Sequence, residues 1–140
     1  MTVPSAIDRP AGVPLRRRLA ARLIVPVAMA MALLPPHGIR TALEVLRRGA
    51  APATYEQSQA ARDAVCAVSL SCARPRGCLP RSLAAVLLCR IWGVWPTWCT
   101  GVRVVPPFGA HAWVEAQGRP VGEGVPDDYF RPLITVAPRA

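Results

Sequence analysis

The chain has 140 residues, of which 17 are basic and 8 acidic, giving a formal charge of +9, and every basic residue is arginine. Without lysine it can build neither a Schiff-base amine nor a Walker-type phosphate loop. At 52% hydrophobic and 18% charged it is too apolar for a disordered chain, and at this length roughly 68–70% of the unfolded surface can be buried.

From the amino terminus, Arg16, Arg17, Arg18 and Arg22 precede an apolar run from Leu23 to Leu34 that contains Ala-Met-Ala, the layout of an export signal. The run falls short of the about 20 residues that span a bilayer. The 5 cysteines, an odd number, suit a reducing compartment. After Pro35-Pro36 the chain resumes as an amphipathic, arginine-bearing helix from Gly38 to Arg48. We therefore expect two short helices broken at the proline pair, in a cytoplasmic protein. A cleaved export signal is the alternative, and membrane association, or docking on the recognition partner, through the apolar run is a further one.

Gly49 to Pro52 reads as a linker, dividing an N-terminal helical region (1–50) from a second domain (51–140). Thr54 and Gln57 have capping-box spacing and predict a helix over Tyr55–Val68. Ser69–Gly77 reads as loop, followed by a helix over Leu79–Arg90. Its apolar stripe is Leu83, Val86, Leu87 and Ile91, and Gly93 ends it. Strands are then expected over Thr97–Val105, broken at Pro106-Pro107, and over Ala110–Ala116 and Pro120–Glu123 around Gln117-Gly118. Helices first and strands after define an α+β class.

Trp92, Trp95 and Trp98 recur every three residues. They are expected in the core or as a covered cleft wall, against the alternative of an aromatic peptide groove. Cys89 and Cys99 are read as small buried hydrophobes and His37 as a surface residue. Cys66 and Cys72 with Cys78 lack an evident fourth ligand, so no metal or cofactor is expected.

Cys78 stands apart because it immediately precedes a helix with Pro80 in its first turn. The positive end of the helix dipole stabilises a thiolate there, and Arg76 and Arg81 act in the same direction. First-turn N–H groups, that of Cys78 among them, can receive a developing oxyanion. His111 opens a strand whose alternation puts His111, Trp113 and Glu115 on one face. A two-residue turn at Gln117-Gly118 would set Ala112 opposite Glu123. A three-residue loop would pair Glu115 with Arg119, Trp113 with Val121 and His111 with Glu123. The second register joins opposite charges and is the expectation. A carboxylate there fixes the imidazole tautomer and stabilises the imidazolium. These residues alone leave two readings open: a Cys78–His111–Glu123 triad, or a hairpin carrying a solvated His–Glu pair.

The run Cys78-Leu79-Pro80-Arg81-Ser82-Leu83-Ala84, with Trp95-Pro96-Thr97-Trp98-Cys99 and Gly101-Val102-Arg103, resembles the lasso-peptide biosynthesis B protein. Pro107-Phe108, Ala110-His111-Ala112-Trp113-Val114-Glu115 and Gly118-Arg119-Pro120-Val121 extend the resemblance. Ala60-Ala61-Arg62-Asp63-Ala64-Val65 and Tyr129-Phe130-Arg131-Pro132-Leu133 support it. The similarity is to the standalone leader-peptidase form, and it implies a transglutaminase-like, papain-type cysteine protease fold over 51–140. It further implies a Cys78 nucleophile, a His111 base, and a precursor peptide whose leader ends in a penultimate threonine. The implied partners are a separate leader-recognition protein and an asparagine-synthetase-like, ATP-dependent macrolactam cyclase. The family's third residue is an aspartate where this chain has Glu123, with Asp127 and Asp128 as the fallback. Two other roles stand beside this one: a non-catalytic assembly protein of the same complex, and a basic nucleic-acid binder. Against the latter, the arginines are scattered and no nucleic-acid motif is present, so no nucleic-acid partner is expected.

Overall fold

The computed structural model describes residues 10, 12–74, 77–106 and 109–139. The expected Arg76 contribution at Cys78 and the Pro107-Phe108 motif lie outside the described residues.

Helix α1 (Leu15–Met31) starts before the apolar run, and α2 (Pro36–Leu46) begins with proline in its first turn. The break between them falls at the proline pair. Among the described residues no helix is long and apolar enough to cross a membrane. Gly49, at φ +79°, lies just past the end of α2 in the left-handed geometry that stops a helix. The expected linker over Gly49–Pro52 is shortened to Gly49 and Ala50, because Ala51–Pro52 forms a short strand, β1, parallel to β2 (Val94–Trp95). The Ala51 and Ala53 N–H groups donate to the Gly93 and Trp95 carbonyls, so main-chain bonding outweighs the loop-like composition.

Helix α3 (Tyr55–Val68) opens on the expected reciprocal capping box between Thr54 and Gln57. The segment 69–77 is not all loop: Leu70–Ala73 makes a single helical turn, α4, capped by the Ser69 hydroxyl accepting from the Cys72 N–H. Helix α5 (Cys78–Ile91) is buried on nearly every side rather than along a stripe. Leu83 through Cys89 are all buried, whereas Ile91 is 60% exposed. It lies between α1 and α3 on one side and the sheet on the other, and a helix so enclosed is apolar all round. Core residues of α1 and α2 (Ala21, Val25, Ala28, Ile39, Leu43) join those of α3 and α5 in one cluster.

The main sheet is antiparallel with order β5-β4-β3-β6: β3 is Thr97–Arg103, β4 Ala110–Ala116, β5 Arg119–Pro120 and β6 Phe130–Val136. β6 is an addition to the expected strands; Pro132 inside it weakens the strand pattern, and the sheet accommodates it at an edge. The hairpin takes the two-residue register instead of the expected one: Ala116 pairs with Arg119 and Glu115 with Pro120. Gln117 (φ +54°) and Gly118 (φ +77°) both adopt left-handed geometry, as a two-residue type I′ turn requires. Glu115 accepts from Trp113 Nε1 at 2.8 Å, while the Arg119 guanidinium lies 4.2 Å from the Tyr55 ring centroid. The expected strand over Pro120–Glu123 shrinks to Arg119–Pro120, because Gly122 turns the chain away at φ +68°.

Trp95 and Trp98 are core residues, their indole N–H groups donating to the Val136 carbonyl and the Ser82 hydroxyl. Trp92 is half-buried, with the Arg17 guanidinium 5.7 Å from its ring centroid. Gly77 has a steric role in placing α5. A Cβ there would sit 2.0 Å from the Ser71 carbonyl oxygen and 3.1 Å from Cys72 Cα. Gly77→Ala must move backbone at the residue before Cys78. It is expected to cost about 1–3 kcal/mol, read as a lower denaturation midpoint, and to reduce Cys78 reactivity in the molecules that remain folded.

Candidate active site

Cys78 begins α5, so the aligned peptide dipoles and the first-turn N–H groups face it. Gly77 at the N-cap has no side chain to occupy those donors. Burial pushes the Cys78 thiol up. The opposing effects outweigh it: a hydrogen bond with the His111 side chain, another from the Ala112 N–H, and the charges of His111 and Arg81. The net result is a thiol held below its ordinary value. The other cysteines behave oppositely. Burial raises Cys66, Cys72 and Cys99, and pushes Cys89 up to about 12.

His111 stands at the start of β4, its ring stacked on Phe130 (centroids 4.4 Å apart, 16° between planes) and flanked by Trp113 (5.9 Å). Its Nε2 meets Glu123 Oε1 at 2.5 Å, which leaves Nδ1 for the Cys78 sulfur. Burial alone would lower the His111 pKa; hydrogen bonds with Cys78 and Glu123, and their negative charges, raise it to about 9.

The Glu123 side chain is only 8% exposed. It reaches His111 although the hairpin register does not set them opposite each other, because Gly122 and Gly124, both left-handed, loop the chain back at this point. Asp127 and Asp128 are exposed. The structure thus brings together Cys78, His111 and Glu123.

Two buried arginines complete the surroundings: Arg62, to which sequence reading gives no role, and Arg81, from which it expects only a charge near the thiol. Arg81, 4% exposed, donates from Nη1 to the carbonyls of Cys72 (2.8 Å) and Arg74 (3.0 Å), tying down the segment that leads into α5. Arg62 of α3, 7% exposed, approaches Glu123 Oε2 with Nη2 at 3.7 Å. A signal for Arg62 exists in the sequence, since at helical spacing it shares a face with Ser58, Val65 and Cys66, all buried.

With the thiol held below its ordinary value and the imidazole raised to about 9, the two shifts act together in favour of a Cys⁻/His⁺ pair over the neutral thiol and imidazole. The pH midpoint for alkylation of Cys78 by iodoacetamide is expected to lie below the ordinary thiol value of about 8.5. A midpoint at that ordinary value would contradict the pairing.

A cysteine at a helix N-terminus, set against a histidine on an antiparallel sheet and a carboxylate in the loop that follows the hairpin, is the arrangement of a cysteine-protease-like domain. The sequence matches the Transglutaminase-like superfamily over residues 21–135, most of the chain, and the protein belongs to that superfamily. Comparison with curated proteins and with solved structures gave no match.

Proposed function

We propose that the protein is a cysteine peptidase that removes the leader from a lasso-peptide precursor. In this reading it works with a separate leader-recognition protein, before or with an ATP-dependent macrolactam cyclase, in the cytoplasm where the precursor is made. The observation that carries the reading is the connected set Cys78–His111–Glu123, with the thiol lowered and the imidazole raised. The lasso-peptide assignment is supported by the motifs around Cys78, Trp95 and His111.

The Cys78 thiolate attacks the carbonyl carbon at the leader–core junction. The resulting oxyanion takes the Cys78 N–H at the start of α5. The His111 imidazolium gives its proton to the departing amine of the core peptide, leaving the leader as a thioester on Cys78. Neutral His111 then takes a proton from water, whose oxygen attacks the thioester, and the leader leaves as a carboxylic acid. Glu123 holds the ring and stabilises the imidazolium throughout.

The test incubates the purified chain with precursor and recognition protein and follows the masses. Release of intact leader and core is expected, the two fragment masses summing to the precursor plus one water. An unprocessed precursor in the presence of both partners would favour the assembly-protein role. Salt-sensitive binding of DNA or RNA without cleavage would favour the nucleic-acid role.

A further inference from the structure

Glu123 is held from two sides. One carboxylate oxygen serves His111 Nε2, and the other faces Arg62 Nη2 at 3.7 Å, the two side chains of this ion pair being 9% (Arg62) and 8% (Glu123) exposed. A buried guanidinium on the inner face of a helix is costly unless it finds an anion, and the anion it finds is Glu123. A second observation is independent of that distance. A Cβ on Gly122 would lie 2.8–2.9 Å from Cδ, Nε and Nη1 of Arg62, so the arginine lies directly over the backbone that precedes Glu123. The Gly122 N–H also donates to the Tyr55 hydroxyl, on the same helix, at 3.4 Å. Helix α3 therefore grips residues 122–123 at three points.

We propose that Arg62 is a positioning residue: by fixing one oxygen of Glu123 it keeps the other on His111 Nε2, and so keeps the imidazole turned to Cys78. A glutamate needs such a clamp more than an aspartate would, because its extra methylene adds a rotor to be frozen. The charged and titratable groups around the carboxylate are Arg62 from α3, Arg81 and Cys78 from α5, and His111 from β4. Arg81 is engaged by the Cys72 and Arg74 carbonyls, so it does not replace Arg62. The catalytic consequence rests on the peptidase reading, whereas the effect on Cys78 reactivity does not.

The experiment compares full-length wild type, Arg62→Met, Arg62→Lys and Arg62→Gln by two readouts. The first is leader release across precursor concentrations, which separates kcat from KM. The second is the pH profile of Cys78 alkylation by iodoacetamide, mapped by peptide mass; burial and raised pKa values keep the other four cysteines slow. Arg62→Met is expected to lower kcat by about 100-fold, as a misplaced catalytic group does, with KM little changed and the alkylation midpoint moved up. Arg62→Lys, which keeps the charge, is expected to recover most of both. Arg62→Gln, which removes the charge but keeps a polar side chain, is expected to shift both in the Met direction, and it carries the test if Arg62→Met does not fold. A wild-type kcat and alkylation profile in folded Arg62→Met would overturn the proposal. Equal kcat losses in the Lys and Met variants, with the alkylation profile unmoved, would overturn it too, marking a structural role only. If wild type releases no leader, the peptidase reading fails, and the alkylation profiles still decide the role of Arg62.

Discussion

Cys78→Ala is expected to abolish leader release, and His111→Ala to do nearly the same. When nucleophile and base act as a unit, removing either costs about as much as removing both, on the order of 10⁶ in kcat. The other four cysteines cannot stand in for Cys78. Cys66, Cys72, Cys89 and Cys99 are buried, and their thiols are raised rather than lowered. Alanine at 78 keeps the small volume at the start of α5, so precursor binding and the thermal midpoint should stay near wild type. The measurement is single-turnover cleavage of precursor with the recognition protein present, followed by mass, with denaturation curves run alongside. Retained cleavage by Cys78→Ala would remove the nucleophile from the account.

Glu123→Gln carries the second largest effect. The amide matches the carboxylate in shape but has no charge to stabilise the imidazolium, and it leaves Arg62 buried without its anion. A loss of up to about 10⁴ in kcat is expected, the scale seen when a triad carboxylate becomes an amide. The His111 pKa, now raised to about 9 by Cys78 and Glu123 together, should fall. Because the Cys⁻/His⁺ pair is lost on the alkaline side as His111 deprotonates, the alkaline limb of the pH–rate profile should move towards neutral. Asp127→Asn and Asp128→Asn, at exposed positions, are expected to leave kcat essentially unchanged, as surface substitutions do. The reverse ranking would move the third role into the 127–128 loop.

Local signals with a physical mechanism are the legible part of the fold. The Thr54/Gln57 box marks the start of α3, and the alternation within Ala110–Ala116 marks β4 in full. The site is legible to the extent that it depends on a helix N-terminus and a strand start, which sequence can mark. The hairpin register is not, because a Glu115–Arg119 charge pair competes with turn geometry and loses. In the fold Gln117 accepts positive φ, and the two charged side chains find Trp113 and Tyr55 instead. The Glu123–His111 contact survives the change of register because it depends on the Gly122 and Gly124 bends rather than on strand pairing. β1 and β6 are hidden for a different reason: each contains a proline and gains its stability from a partner far along the chain. The contacts of Arg62 and Arg81 belong with these, since no local pattern says which buried carboxylate or carbonyl will meet a guanidinium.

The charge of +9, prominent at first sight, has a specific structural component. Two of the arginines are buried beside the cluster, one on Glu123 and one on the carbonyls that lead into α5.

If Cys78 carries the leader as a thioester, acid-quenched intact mass of the chain mixed with precursor and recognition protein detects it. The expected result is an adduct equal to the leader less one water, mapping to the peptide that contains Cys78 and absent from Cys78→Ala. An adduct on any other residue, or leader release by Cys78→Ala at the wild-type rate, would contradict it.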